Sequence, residues 1–407
     1  MSIRAASIEE RKRRVAAGRI AVWTVVGGAW LASCGTGGGP ASPDGGTAAV
    51  STGGKAAAGP GARGGDGSPT TASGGRTAGT NGVPMTGSGG AAASPSPASP
   101  GGNAGSNAGS EGAPPVGMGP PNVAPVGRGV GASGCPAGPF PAPMMLSSAS
   151  VCADFPFAYD SNEGPTWVAS QGAFFFSNYA IQQASGCDII KYTPGGACEL
   201  FIQGVGCNGL AVTADGNLLA ACQQSRSLVL FDVKTRLGTT VVDNYQGMAF
   251  DSPNDLVIHT NGTIYFTNPQ FELGGRTPGV GLATFRIDPT GAISLIAPGA
   301  CNGIALSPDQ SKLYVLTFGQ AAVWDLDPAG APSNRGSMGF GGDGMAVDCA
   351  GNIYVSGGIF TSAGQRIGAY VQGGTNLAFG GADGTTLLVV GFGQPVRELK
   401  MNVPGLP

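Results

Sequence analysis

The chain has 407 residues, of which 74 are glycine, 31 are proline and only 11% are Asp, Glu, Lys or Arg. Six of the 21 basic residues, but only two of the 24 acidic residues, lie in the first 34 positions. The remainder is therefore acidic and has no basic stripe, which excludes a nucleic acid as partner because phosphate binding needs clustered positive charge.

The N-terminus carries basic residues followed by a short apolar run. Arg11–Arg14 and Arg19 precede the uncharged run Ile20–Ser33. Because about 20 residues are needed to span a bilayer as a helix, the run predicts an export signal over residues 1–33 and not a membrane span. Its end, Leu31-Ala32-Ser33 before Cys34, resembles a bacterial lipobox. We expect Cys34 to be lipidated, which predicts an exported cell-envelope lipoprotein, periplasmic or at the cell surface, held to the membrane through the lipid only. The alternative is an ordinary signal peptide.

The next segment lacks the residues that build a core. Between Gly35 and Pro139 the sequence has no Leu, Ile, Phe, Tyr or Trp. Such a composition cannot bury enough apolar surface to offset chain entropy. The sequence therefore predicts a disordered linker over residues 34–139 and a folded domain over residues 140–407.

Eight cysteines follow Cys34, at positions 135, 152, 187, 198, 207, 222, 301 and 349. An even number in an exported chain indicates disulfides, although about 105 pairings are possible. Cys207 and Cys222 flank the Asp215-Gly216 turn at similar distances, which favours that pair. A zinc–thiolate site is the rival interpretation, but the chain has no CxxC motif and one histidine, His259. The position of His259 after a strand predicts an exposed turn residue.

The folded part repeats itself six times. Each repeat has a polar residue, usually a glycine, an alternating apolar run, a turn and a second apolar run, which predicts a hairpin. The repeats start at Glu163, Asn208, Asn254, Asn302, Asp343 and Asn376. Spacings near 40–45 residues with about four strands each are typical of a propeller blade. We expect an all-β, six-bladed β-propeller closed by an N-terminal strand at Met144–Val151. A β-sandwich would leave the six-fold register unexplained.

The first strand of each blade lines the channel of a propeller, so equivalent residues of the repeats converge there. That position holds Glu163, Asn208, Asn254, Asn302 and Asp343. Two carboxylates with several amide oxygens form a hard-oxygen site that suits Ca²⁺, with Mg²⁺ or Mn²⁺ as alternatives. The competing interpretation is that these residues only end strands and satisfy turns.

Several segments resemble the SMP-30/gluconolactonase/luciferin-regenerating family. They are Glu163–Trp167, Ser252–Asp255, Gly262–Thr267, Asn302–Asp309, Asp343–Asp348 and Thr375–Gly381. The resemblance implies a propeller whose metal ligands are Glu163, Asn254, Asn302 and Asp343. It implies no ligand role for Asn208, which we assign to the channel lining.

The resemblance further implies a divalent-metal-dependent hydrolase of a lactone or small ester. The metal would polarise the carbonyl and activate a bound water, Asp343 would be the base, and Asn254 would contact both metal and substrate. Two positions depart from the family pattern. Asn268 stands where many relatives have Asp, and Cys222–Ser225 where many have a basic or histidine-containing loop.

The alternative function is a non-catalytic, metal-stabilised propeller that acts as a binding scaffold in the cell envelope. The loops Phe271–Gly281 and Thr361–Arg366 are expected to cover the metal end, and their structure should distinguish the two. For the enzyme we expect a small-molecule lactone or ester as partner and a monomeric protein.

Overall fold

The computed structural model describes residues 123–181, 186–317 and 319–407. In this part of the chain, six four-stranded antiparallel sheets form the blades of a propeller, which confirms the expected fold class. The export segment 1–33, Cys34 and most of the expected linker lie outside the described residues. Within the described part, no helix is both long and apolar enough to cross a bilayer.

The strands are numbered β1 to β26 in chain order, and four consecutive strands form each of the first five blades. The first strand is β1 (Met145–Ser150), and blade 1 comprises β2 (Ser161–Val168), β3 (Ala173–Tyr179), β4 (Cys187–Tyr192) and β5 (Cys198–Ile202). Blade 2 comprises β6 (Leu210–Val212), β7 (Leu218–Cys222), β8 (Ser227–Phe231) and β9 (Gly238–Val242), followed by a hairpin of β10 (Asn244–Tyr245) and β11 (Met248–Ala249). Blade 3 comprises β12 (Leu256–Ile258), β13 (Ile264–Asn268), β14 (Ala283–Ile287) and β15 (Ile293–Pro298).

Blade 4 comprises β16 (Ile304–Leu306), β17 (Lys312–Leu316), β18 (Ala321–Leu326) and β19 (Pro332–Met338). Blade 5 comprises β20 (Met345–Val347), β21 (Ile353–Val355), β22 (Gly358–Phe360) and β23 (Arg366–Ala369). Blade 6 comprises β24 (Asn376–Gly380), β25 (Thr386–Val390), β26 (Arg397–Met401) and β1. A single 3-10 turn, Ala169–Gln171, interrupts the strands of the described chain.

The ring is closed by strands from both ends of the domain. β1 pairs antiparallel with β26, so that Ser148 lies opposite Leu399 and Ser150 opposite Arg397. This pairing confirms the expected closure by the segment Met144–Val151. Because the N-terminal strand completes the last blade, opening the ring requires breaking a full strand ladder and not only a packing interface.

Glycines allow the inner strands of neighbouring blades to approach closely. The N–H of Gly303 donates to the carbonyl of Asp343 at 2.7 Å, and a Cβ on Gly303 would lie only 2.4 Å from that oxygen. Gly209 makes the same contact with the carbonyl of Asn254 at 2.7 Å. The polar-Gly signature of the repeats therefore has a packing origin: only glycine leaves room for this contact.

Apolar side chains fill the space between blades. Between blades 2 and 3, for example, Phe250, Phe266 and Phe285 are almost completely buried and their rings pack 5.1–5.4 Å apart. Burying each ring contributes roughly 2–3 kcal/mol relative to exposure. The alternating apolar runs of the repeats thus supply the core, while the polar residues that precede them are left at one end of the channel.

Residues before Phe140, the expected start of the domain, also pack on the propeller. We call residues 123–135 the strap. The N–H of Gly129 donates to the carbonyl of His259 at 3.0 Å, and Arg128 accepts from the N–H of Ala214 at 2.8 Å. Val126 is buried in the core between blades 2 and 3. The ordered unit therefore extends upstream of residue 140, because valines and a cysteine of the strap pack on the propeller. The glycine-rich composition of the segment as a whole did not predict this.

The strap covers one end of the channel, which we call the floor. A disulfide between Cys135 and Cys349 links the strap to blade 5. The C-terminal tail covers the same end, since the N–H of Leu406 donates to the carbonyl of Val347 at 3.0 Å. A cavity of about 110 Å³ lies above the floor, lined by inner-strand residues together with Val130, Gly131, Leu406 and Pro407.

The cysteines form three disulfides in the described chain. Cys207–Cys222 is present as expected, and Cys152–Cys198 joins the segment after β1 to β5. Cys187 and Cys301 are free and buried, so the even count did not mean that every cysteine is paired. Each free thiol is instead packed against backbone: the thiol of Cys301 donates to the carbonyl of Ala283 at 3.3 Å.

Two expectations about loops are wrong. His259 is not exposed: 8% of its surface is accessible, because the strap covers it, and its Nδ1 accepts from the N–H of Asn261 at 3.0 Å. The loop Thr361–Arg366 does not cover the metal end. It joins β22 to β23, and since strand direction alternates within an antiparallel blade, that connection lies at the floor.

Candidate active site

The end of the channel opposite the floor, which we call the site end, carries the column of polar residues. Glu163 lies near the start of β2, and each of the other four stands two residues before an inner strand: Asn208, Asn254, Asn302 and Asp343. The backbone N–H groups of Asn208, Asn254 and Asn302 donate to the second strand of their own blades at 2.8–2.9 Å. This shared register places the equivalent side chains at the same end of the channel.

Glu163, Asn302 and Asp343 come together there, although they belong to three different blades. Burial raises the pKa of Glu163 well above its ordinary value, and the charge of Asp343 raises it further. Burial also raises the pKa of Asp343, while a hydrogen bond from the Asn302 amide opposes that rise. Glu163 is 3% exposed, and no described residue lies within direct hydrogen-bond distance of its Oε1, although the nearby side chains of Thr375 and Asn376 lower its pKa. Two buried carboxyl groups that repel each other favour a bound proton or cation between them.

Asn254 and Asn208 lie at the same end, on the neighbouring blades. Asn254 is 6% exposed and accepts from the N–H of Gly209 through its backbone carbonyl. Asn208 is 1% exposed, and its side-chain Nδ2 has no hydrogen-bond partner among residues 123–181, 186–317 and 319–407. A buried amide nitrogen without a partner costs free energy, so the orientation of Asn208 leaves a donor for a ligand or a bound water.

Asp255 is a buried carboxyl that the motif analysis did not single out. It occupies the position that is glycine in blades 1, 2, 4 and 5, and its Oδ2 lies 3.5 Å from Nδ2 of Asn376 in the opposite blade. Burial raises its pKa to about 7, against hydrogen bonds from the N–H of Leu256, the side chain of Asn376 and the N–H of Ile304. The departure from glycine in the aligned repeats was the signal that could have identified it.

Glu272 adds another carboxyl from the loop between β13 and β14. It is 3% exposed, and its Oε2 accepts from the hydroxyl of Ser252 at 2.9 Å. Burial raises its pKa to about 7; the Ser252 hydrogen bond opposes the rise, and the charge of Asp343 adds to it. The phenol of Tyr179 is close to the same carboxyl groups. Burial raises its pKa, and the charges of Glu163, Glu272 and Asp343 raise it further. No repeat contains an equivalent of Glu272, so only tertiary structure could place it.

The two departures from the family pattern have structural roles here. Oδ1 of Asn268 accepts from the N–H groups of Asp251 and Ser252 at 2.9 and 3.1 Å, and its Nδ2 donates to the carbonyl of Gly281 at 2.9 Å. An aspartate could accept but not donate, so the amide ties both sides of the loop. In the second departure, Cys222 is part of a disulfide, and the carbonyls of Gln223 and Gln224 accept from Arg276.

The chemistry of the donor set fits a hard cation. Among the described residues, no three His, Cys, Asp or Glu side chains are grouped to hold a metal. The candidate set instead combines the carboxyl groups of Glu163 and Asp343 with amide oxygens of Asn254 and Asn302. Oxygen-only ligands with few formal charges suit Ca²⁺ or Mg²⁺, and the unpartnered Oε1 of Glu163 supplies a free ligand atom.

Two curated proteins are similar to this chain in sequence. The chain is 33% identical to the gluconolactonase of Zymomonas mobilis over 245 residues, which is 50% of this chain and 66% of that protein. It is 27% identical to lactonohydrolase oryL of Aspergillus oryzae over 126 residues, which is 29% of either chain. The chain thus spans just under two thirds of the first relative and less than a third of the second.

The structure of a gluconolactonase from Xanthomonas campestris has the same fold, with a TM-score of 0.53 and 24% identity. That match covers 66% of this chain and 99% of the other. The sequence model of the family described as the SMP-30/Gluconolactonase/LRE-like region matches residues 161–392, which is more than half of the chain and includes blades 1 to 5 and two strands of blade 6. The chain therefore belongs to the SMP-30/gluconolactonase/LRE-like family.

Proposed function

We propose that the protein is a divalent-metal-dependent hydrolase of a lactone or small ester, with calcium as the metal. The observation that carries the proposal is the convergence of Glu163, Asn302 and Asp343 from three blades, with Oε1 of Glu163 left without a hydrogen-bond partner among the described residues. The likeness to a gluconolactonase and a lactonohydrolase supports a lactone as substrate.

Glu163, Asn254, Asn302 and Asp343 would hold the metal at the site end of the channel. When bound, the ion supplies positive charge that polarises a carbonyl and lowers the pKa of a water. Asn254 stands beside the buried Asp255, on the blade whose loop carries Glu272, and its amide would orient the substrate as well as the ion.

The carboxyl groups divide the proton transfers between them. Asp343 takes the proton of the attacking water as its oxygen adds to the carbonyl carbon of the lactone. The ring C–O bond then breaks, and the leaving oxygen takes a proton from Glu272. A carboxyl whose pKa is raised to about 7 by burial holds that proton near neutral pH. The product is the open hydroxy acid.

Residues 1–34 indicate where the protein is located. The basic, apolar and Leu-Ala-Ser-Cys pattern supports export and lipidation at Cys34. The protein would then be a monomeric cell-envelope lipoprotein whose partner is a small molecule. Labelling with a radioactive or alkyne fatty acid tests the anchor, and retention of label in Cys34→Ala would contradict it.

The enzymatic proposal is tested with a panel of lactones and small esters, including glucono-δ-lactone. Wild type and Asp343→Ala are assayed with added Ca²⁺ and with a chelator. We expect hydrolysis by wild type that the chelator abolishes and that readded Ca²⁺ restores. Activity that survives both the chelator and the substitution would rule out the metal mechanism, and inactivity on the whole panel would favour the binding scaffold.

A further inference from the structure

The loop that carries Glu272 is fixed in place by side chains outside the candidate site. We call residues 269–282, between β13 and β14, the lid loop. Such a long loop is expected to be mobile unless its backbone groups find partners. Here two arginines and an aspartate bind its backbone at several points.

Arg276 joins the lid loop to the β7–β8 turn of blade 2. Its guanidinium donates to the carbonyls of Gln223 and Gln224 at 2.7 and 2.9 Å, across the interface between blades. The same group donates to the carbonyls of Leu273 and Glu272 at 2.8 and 3.1 Å. One planar, five-donor side chain thus satisfies four carbonyl oxygens on two segments.

These contacts hold Glu272 without neutralising it. Arg276 binds the carbonyl of Glu272 and not its carboxyl group, while the Ser252 hydroxyl accepts from the Glu272 N–H at 3.3 Å and donates to Oε2 at 2.9 Å. The backbone is held on both sides of the residue, and the hydrogen bond from Ser252 fixes the direction of the side chain. The carboxyl therefore remains available to a ligand at the site end.

A second anchor holds the far part of the same loop. The buried carboxyl of Asp251 accepts from Nη2 of Arg226 at 3.2 Å, from Nε2 of Gln270 at 3.1 Å and from the N–H of Gly279. Nη1 of Arg226 also donates to the carbonyl of Thr277 at 3.2 Å. The lid loop is consequently held on both sides of Glu272, by Asp251 before it and by blade 2 and Asp251 after it.

We propose that Arg276 is a positioning residue, which holds the lid loop so that the carboxyl of Glu272 faces the Glu163–Asp343 centre. The inference rests on the proposed hydrolase function. The lid loop is then part of a preorganised site and not a flap that closes on the substrate, and Arg276 acts only through Glu272.

The test compares Arg276→Met, Arg276→Lys, Glu272→Gln and the double variant Arg276→Met/Glu272→Gln. The matched control is Arg286→Met, because Arg286 also bridges two blades through carbonyls, those of Gly330 and Ala329 at 2.8 and 2.9 Å, but at the floor. We expect Arg276→Met to lower kcat about 10- to 100-fold with little change in KM, since small misplacement of a reacting group costs that much. Arg276→Lys should not restore kcat, because an ammonium cannot reach four carbonyls.

The double variant should be no slower than Glu272→Gln alone, and Arg286→Met should keep the wild-type kcat. Losses that multiply in the double variant, or an equal loss in Arg286→Met, would overturn the proposal.

Hydrogen exchange of the chelated protein gives a readout independent of activity. Residues 269–282 should exchange faster in Arg276→Met but not in Arg286→Met, and an unchanged loop would overturn the inference even if no lactone is a substrate. Failure of the whole lactone panel with the expected exchange would instead count against the hydrolase alone.

Discussion

The two ends of the channel are built from the same six strands but are satisfied in different ways. β20 shows this within a few residues: Asp343 precedes it at the site end, and Asp348 follows it at the floor. Asp348 accepts from two backbone N–H groups at 2.8–3.0 Å, from the Asn352 amide at 2.8 Å and from the Tyr354 hydroxyl at 3.1 Å. Asp343 faces the buried carboxyl of Glu163, whose Oε1 has no hydrogen-bond partner in the part of the chain that the structure describes. A buried carboxyl group that accepts several hydrogen bonds stabilises the fold. A buried carboxyl group that faces another carboxyl group is available for chemistry.

Asp343→Asn should produce the largest effect. We expect kcat/KM for the best lactone to fall by about 10³-fold or more, because the proposed base and proposed metal ligand are lost together. The variant should remain folded, with a denaturation midpoint at or above that of the chelated wild type, since removing one of two repelling buried charges relieves strain. Wild-type rates in this variant would contradict the assignment.

Asp348→Asn is the matched change at the floor and should behave in the opposite way. The amide cannot accept all the hydrogen bonds that the carboxylate accepts, so we expect a loss of about 1–3 kcal/mol in the free energy of unfolding. The rate per folded molecule should stay within about two-fold of wild type. An activity loss comparable to that of Asp343→Asn would contradict the assignment of Asp348 to stability and of Asp343 to activity.

Removing the strap should weaken the fold but not the site. A chain that begins at Phe140 loses the burial of Val126 and the Cys135–Cys349 disulfide, which closes a loop of sequence separation 214. We expect a loss of about 3–5 kcal/mol from the disulfide and its loop, measured by urea denaturation. The Cys135→Ala/Cys349→Ala variant separates the covalent contribution from the packing of the strap. An unchanged denaturation midpoint in the shortened chain would show that the floor covering is dispensable.

Glu272→Gln should change how stability depends on pH. The pKa of Glu272 is raised in the folded state from an ordinary value of 4.5 to about 7, so the native protein binds a proton more tightly than the unfolded chain. The stability from this group is present below pH 4.5 and is lost as the pH rises through 7. In chelator, the variant should therefore gain up to about 3 kcal/mol relative to wild type between pH 4.5 and 7.5. Glu199→Gln, at a side chain 60% exposed, is the control for removing a carboxyl group outside the channel.

Lys400→Met, on the exposed side of blade 6 beside the β24–β25 turn, should have the smallest effect. Lys400 contacts Asp383 at 2.7 Å and lowers its pKa to about 2, but the side chains are 42% and 58% exposed. Solvent screening limits the change in unfolding free energy to less than about 0.5 kcal/mol at pH 7. The difference should vanish as the pH falls from 4 towards 2, because the stability of a group with a lowered pKa is lost on protonation. A loss above 1 kcal/mol in a urea titration would contradict this.

Much of the fold could be predicted because the six repeats carry their own register. The alternation of apolar residues, the polar-Gly step and the spacing indicate six hairpins, and inner strands that face one channel bring Glu163, Asn302 and Asp343 together. Asp255 was visible as a break in that pattern but was not interpreted. Glu272 was not predictable, because a loop residue has no repeat partner, and its position depends on Arg276 and Ser252 from separate segments.

The sequence alone determined the number of blades, the closure by an N-terminal strand and the end of the channel at which the oxygen-bearing side chains meet, because all three follow from local periodicity and chain order. Only the tertiary structure decided that the strap covers the floor, that His259 is buried and that a lid loop is held by arginines at the site end. Those features depend on contacts between residues far apart in the chain, and no local pattern encodes which distant partner a backbone carbonyl or a valine will find.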